Sequence, residues 1–152
     1  MTTTWLSASE MRAWRNYIES VSTMTAALES DLVPHGLTMG DYEVLVRLSE
    51  AESQQLRMCD LATSLQLSPS GLTRRLDGLV TSGLVERVAS PADRRVMFAA
   101  MTPKGHAKLI EAAPDHVASV RNRFFKGLTK DQVRELGDIF EVVRSNLTAC
   151  PA

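Results

Sequence analysis

The sequence predicts a mainly α fold with a small β-wing, and three observations carry that prediction. Apolar residues recur at three- and four-residue spacings towards both ends of the chain, the stripe of an amphipathic helix. Ser68-Pro69 and Thr102-Pro103 each set a capping hydroxyl before a proline, a strong helix start. Between them, two β-prone runs flank a polar turn that carries adjacent arginines.

The first third reads as helix. Trp14, Ile18, Val21, Thr25, Leu28 and Leu32 form its stripe, and Ser7 with Glu10 three residues later makes a capping box. Pro34 and Gly36 stop it. A stripe of about 25 residues is long for a helix packed only within its own chain, so part of it is expected to meet a second chain. Thr38 caps a second helix that turns Tyr42, Leu45, Val46 and Leu48 inward, and Glu52–Gln54 reads as loop. Leu56–Met58 leads into a short helix, Cys59 to Leu65, with Leu61, Ala62 and Leu65 inward.

After a brief turn, Ser68-Pro69 opens a helix with Leu72, Leu76, Leu79 and Val80 buried, and Ser82-Gly83 ends it. Two short helices joined this way make a helix-turn-helix. At about 100° per residue, Ser70 and Arg74 point away from the apolar stripe, with Thr73 and Asp77 on one flank and Arg75 on the other. Small hydroxyls and arginines at a helix N-terminus suit phosphates and base edges. The strands Leu84–Val88 and Val96–Met101 then enclose Ala89–Arg95, a hairpin with Arg94 and Arg95 at its tip. Such a basic hairpin is a wing, and its arginine fits a minor groove.

Thr102-Pro103 begins a long helix with Ala107, Ile110, Val117, Val120 and Phe124 as its stripe, and Pro114 is expected to kink it. Thr129 and Gln132 form the capping box of a last helix bearing Val133, Leu136, Ile139, Phe140, Val143 and Leu147.

Composition sets the bounds. The chain has 152 residues and 16.7 kDa, 44% hydrophobic and 23% charged, which fits one domain or two lobes sharing a core. Cys59 and Cys150 are the only cysteines, so no disulfide framework is expected. No apolar run reaches the roughly 18–20 residues that span a bilayer, and the first ten residues lack a leader pattern, so a cytoplasmic protein with no membrane partner is expected. Net charge is −1, but its distribution is uneven. Residues 1–56 carry three Lys/Arg against eight Asp/Glu, residues 57–105 seven against four, and residues 106–152 seven against six. A basic middle segment points to a localised anionic partner.

This order of parts resembles the MarR (multiple antibiotic resistance regulator) family. The residues that carry the resemblance are Leu67–Leu76, Gly83-Leu84-Val85-Glu86-Arg87, Asp93-Arg94-Arg95 and Met101-Thr102-Pro103-Lys104-Gly105. It implies a winged helix-turn-helix DNA-binding lobe over residues 37–105 and a helical dimerisation lobe from residues 1–36 and 106–152. It implies also a homodimer that reads a pseudo-palindromic operator in double-stranded DNA, most often as a repressor. Ser68, Ser70, Thr73, Arg74 and Arg75 match recognition-helix positions. Arg94 or Arg95 matches the wing-tip arginine, and Asp93 is expected to brace one of them. Arg57 and Lys104 are further phosphate-contact candidates. A small aromatic or anionic effector is expected where dimer helices meet the lobe, lined by Trp14, Tyr17, His35, Met39 and Tyr42.

Two other functions fit parts of the sequence. Cys59, at a helix start, could serve a thiol-redox-responsive regulator, although a buried, inert thiol is expected there. A winged-helix protein–protein interaction module would need an apolar docking face, which the arginine pairs argue against. The sequence contains no catalytic motif, no zinc spacing and no phosphate loop, so neither enzyme activity nor a metal or cofactor is expected.

Overall fold

A computed structural model describes residues 4–148, which excludes Cys150. Helix α1 (Ala8–Leu32) starts as the capping box requires: Ser7 Oγ accepts from the Glu10 N–H at 3.3 Å, and Glu10 accepts from the Ser7 N–H at 2.8 Å. Val33–His35 tightens into a 3-10 turn around Pro34, and Gly36, at φ +69°, reverses the chain where a side chain would be strained. Thr38 caps α2 (Met39–Glu50) through a second capping box with Asp41. A short strand β1 (Gln55–Arg57) precedes α3 (Met58–Ser64), and Ser68 Oγ accepts from Gly71 N–H to cap α4 (Pro69–Thr81). Strands β2 (Val85–Ala89) and β3 (Met97–Met101) follow, then α5 (Pro103–Val120), a π-helical turn (Arg121–Phe125) and α6 (Lys130–Thr148). Thr129 and Gln132 exchange the expected capping bonds before α6.

The sheet is antiparallel with order β1-β3-β2, pairing Leu56 with Ala99 and Val88 with Phe98. The expected hairpin is therefore the larger part of a three-stranded sheet. Leu45, Leu48, Leu61, Leu72 and Leu76 fill the core beneath it, joined by Leu32, Ala99, Leu109 and Ala112 from α1, β3 and α5. Val44, absent from the expected core, is also fully buried.

Helix α5 continues through Pro114, and the irregular backbone comes later, in the π-helical turn. One expectation about α5 needs correction. Its buried residues are Gly105, Leu109, Ala112 and Ser119, whereas Ile110 and Val117 on the expected stripe are 59% and 40% exposed. Apart from the half-buried Leu136, the stripe of α6 is likewise exposed, as are Trp14, Tyr17, Ile18 and Val21 of α1. No described helix is long and apolar enough to cross a membrane.

Candidate nucleic-acid interface

Helices α3 and α4 meet at a tight turn in which Gln66 adopts φ +54° and the Leu67 N–H donates to the Ala62 carbonyl at 2.9 Å. Leu72, Leu76 and Leu79 anchor α4 in the core, which leaves Ser70, Thr73, Arg74 and Asp77 exposed on its outer half. Ser68 is committed to its cap, with Ser70 Oγ at 3.2 Å from Ser68 Oγ, and Thr73 Oγ1 donates back to the Pro69 carbonyl. Arg74 has no hydrogen-bond or ion-pair partner among the described residues. Its guanidinium is available for an external acceptor.

Arg75 behaves differently. It is half-buried, and a Cβ placed on Gly40 would come within 1.3 Å of its Nη1 and 2.1 Å of its Cζ. The guanidinium therefore lies across the first turn of α2, in a slot that exists only because position 40 has no side chain. The two adjacent arginines, expected to share one DNA face, are directed to different places.

The wing tip is ordered by its own backbone. Ser90 N–H donates to Val96 O at 2.8 Å, Val96 N–H to Asp93 O at 2.9 Å, and Arg95 N–H to Asp93 Oδ1 at 2.9 Å. Asp93 thus braces the turn through a main-chain N–H and not an arginine side chain, because an aspartate in a turn reaches the N–H two residues on. Arg94 and Arg95 side chains stay exposed, with no partner among the described residues. Arg87 joins wing and helix: its Nη2 donates to Asp77 Oδ1 at 2.8 Å and to the Thr73 carbonyl at 3.0 Å. This tie, which sequence reasoning missed, neutralises the acid on the outer half of α4.

The two weaker phosphate candidates are engaged locally. Arg57 pairs with Asp60 at 2.6 Å, and that contact raises the arginine's pKa and lowers the carboxyl's. Lys104 Nζ donates to the Ser82 carbonyl at 2.7 Å, at the C-terminal end of α4.

Residues 37–97, which span α2, the helix-turn-helix and the wing up to the start of β3, match the MarR family. Over the whole chain, the crystal structure of AbsC, a MarR family transcriptional regulator from Streptomyces coelicolor, is 40% identical. It superposes with a TM-score of 0.93 over 97% of this chain and 100% of that one. The chain belongs to the MarR family of transcriptional regulators. A second member from Streptomyces coelicolor, Sco3205, solved in complex with DNA, is 34% identical with a TM-score of 0.92 over 99% of this chain and 95% of that one. The transcriptional repressor YetL of Bacillus subtilis is 26% identical over 139 residues, covering 90% of this chain and 83% of its own.

In this MarR-family chain, the five residues expected around an effector fall in three places. Trp14 and Tyr17 sit on α1 with ring centroids 5.9 Å apart, and Tyr17 lies 6.2 Å from Phe140 of α6. Met39 and Tyr42 line a cleft of about 200 Å³ with Glu43, Val46, Arg47 and His116. His35 faces α5 and a separate cleft. His116 was not singled out from sequence, where it stands alone. Its ring lies 4.5 Å from that of Tyr42, its Nδ1 is buried without a hydrogen-bond partner, and burial lowers its pKa.

Cys59 is exposed, contrary to the buried thiol expected, because α3 turns Leu61 and Ala62 inward instead. Its Sγ lies 3.5 Å from Asp60 Oδ1. Among the described residues, no three His, Cys, Asp or Glu side chains converge on a metal position.

Proposed function

We propose that this regulator acts as a homodimer whose two winged lobes bind a pseudo-palindromic operator in double-stranded DNA and repress transcription. The observation that carries this reading is the set of unengaged arginines, Arg74 on α4 and Arg94 and Arg95 on the wing, at two neighbouring tips of one lobe. Ser70, Thr73 and Arg74 serve as base and phosphate contacts in a major groove, and the wing arginines enter the adjoining minor groove. Ser68 and Asp93 hold these contacts in place through the backbone, while Arg75 acts as a brace against α2. The DNA-bound relative and the repressor named among the similar proteins support the assignment.

The division of labour follows the packing. Residues 37–105 form the DNA-binding lobe, and residues 1–36 and 106–152 dimerise through the exposed apolar faces of α1, α5 and α6. The Met39, Tyr42 and His116 cleft takes a small aromatic or anionic effector.

The test is binding to the intergenic DNA upstream of its own reading frame across a salt series. Saturable binding by a dimer, with a steep negative salt dependence and competition only by that site, is the expected result. Arg94→Ala with Arg95→Ala should flatten that dependence in a folded protein. An unchanged slope removes the wing from the interface.

A further inference from the structure

His35 closes the joint between α1 and α2, and both of its ring nitrogens face carboxylates of α5. Nε2 lies 3.0 Å from Asp115 Oδ2, and Nδ1 lies 3.3 Å from Glu111 Oε1. An ionised carboxylate only accepts, and a neutral imidazole has a single N–H to donate. Both contacts are hydrogen bonds at once only when the ring is an imidazolium. The imidazole side chain is 11% exposed, while Glu111 and Asp115 are 56% and 71% exposed, so both carboxylates meet the ring from the solvent side. The bonds to Asp115, then to Glu111, hold its pKa above the ordinary histidine value.

The location of this cluster gives it leverage. On the division proposed above, the chain passes between helical region and winged lobe twice, near Gly36 and near Gly105. His35 lies at the first crossing, immediately before the left-handed Gly36. Glu111 and Asp115 lie on α5 beyond the second, 76 and 80 residues away in sequence. All three side chains belong to the helical region on that division, but α5 also sends Leu109 and Ala112 into the core of the lobe, so the contacts tie the end of α1 to the helix on which the lobe is seated.

We propose that His35, Glu111 and Asp115 form a pH-sensitive latch that pins the end of α1 to α5, the helix that seats the winged lobe, and so tunes operator affinity. The step to operator affinity rests on the DNA-binding reading and the distance between wings on the proposed dimer, whereas the His35 titration rests on neither. A raised folded-state pKa means that the latch is fully closed below about pH 6.5 and is lost as pH rises through the raised value. A neutral ring holds one carboxylate and turns a lone pair towards the other. The surrounding charges modulate this without replacing it. Lys108 Nζ is 2.8 Å from Glu111, while Lys104 and Asp41 line the cleft beside His35. On the far side, Asp31 and Arg123 line the hollow that Asp115 borders, paired with each other at 3.4 Å. Asp115 has no partner among the described residues other than His35.

The test uses the full-length protein and three readouts. In an NMR titration without DNA, the ring C–H resonance that disappears in His35→Gln should have a midpoint above about 6.5. Glu111→Gln and Asp115→Asn should each bring that midpoint down, and both are surface changes that leave the core alone. Spin labels on Ala92→Cys, in a Cys59→Ser and Cys150→Ser background, then report the distance between the two wings. That distance distribution should broaden between about pH 6 and about pH 8 in the wild-type background and stay constant with His35→Gln added. An ordinary midpoint, or a distribution indifferent to pH, overturns the latch. With the upstream DNA, affinity should fall roughly three- to tenfold over the same interval, and DNA should raise the His35 midpoint by the same factor, roughly 0.5–1 pH unit. Affinity insensitive to pH in a latch that opens overturns the link to the operator. A latch that titrates in a protein that binds no DNA counts against the DNA-binding reading alone.

Discussion

The winged lobe and the helical ends use the same three-and-four spacing of apolar residues for different destinations. In the lobe, Leu45, Leu48, Leu61, Leu72 and Leu76 are at most 1% exposed, because α2, α3, α4 and the sheet close over one another. In α1 and α6, Trp14, Ile18, Ile139, Phe140 and Leu147 remain 38–81% exposed. Helical periodicity therefore reports that a face needs covering, but not which chain covers it. An apolar surface of this extent on a single chain is characteristic of an interface.

The sharpest way to break this contrast is to truncate one residue from each region. Leu48→Ala opens a cavity in a fully buried site and should cost about 2–5 kcal/mol. Its urea midpoint should fall while the dimer dissociation constant measured by sedimentation equilibrium stays unchanged. Phe140→Ala should do the reverse, removing about 0.5–1 kcal/mol of burial from each subunit's side of the interface, since 38% of the residue is left for a partner to cover. The dissociation constant should weaken roughly tenfold, since 1.4 kcal/mol is one decade. A Phe140→Ala dimer as tight as wild type would mean that α6 is covered by something other than a second copy.

The same contrast recurs on a smaller scale between neighbouring arginines. Arg74 has no partner within the chain and Arg75 is laid over Gly40. Arg74→Ala should cost about 1–3 kcal/mol of discrimination at one operator position, read by binding-site selection. Arg75→Ala should leave the selected sequence unchanged and lower thermal stability instead. Gly40→Ala should displace the Arg75 guanidinium, and because that is the free end of a flexible side chain and alanine favours a helix, stability should hold or rise. A changed base preference in Arg75→Ala would return it to the DNA face.

What was legible in the sequence divides along local and non-local lines. The caps at Ser7, Thr38, Ser68, Thr102 and Thr129 join residues three apart, so both partners lie in one short window. The wing and its free arginines were legible for the same reason. Strand β1 was not, since Gln55-Leu56-Arg57 is too short to show alternation and is defined by pairing with residues 98–100. The Arg87–Asp77 tie and the His35 cluster also need the fold to bring distant elements together. Asp93 illustrates competition at close range: the main-chain N–H two residues on is fixed in position, whereas an arginine head would have to be immobilised to take its place. The candidate effector residues fall in three places within one chain, because a stripe position does not specify the cleft it borders.

The smallest effect separates two serines that sequence places together on the DNA face. Ser68 Oγ accepts from the Gly71 N–H at 3.1 Å, so it satisfies a backbone donor that the first turn of α4 would otherwise leave open. Ser68→Ala should cost about 1 kcal/mol of folding stability, measured by urea unfolding, and weaken operator binding only through the fraying of that turn. Ser70 is exposed beside it and caps nothing. Ser70→Ala should therefore stay within about 0.5 kcal/mol of wild-type stability. Its loss should appear instead in operator affinity, at about 0.5–1.5 kcal/mol for one neutral hydrogen bond. Restoring the cap with Ser68→Asp separates the two roles further. An aspartate caps as well as serine but sets a negative charge beside DNA phosphates, so stability should recover while affinity falls. If affinity also recovered, the N-terminal turn of α4 would lie away from the phosphate backbone.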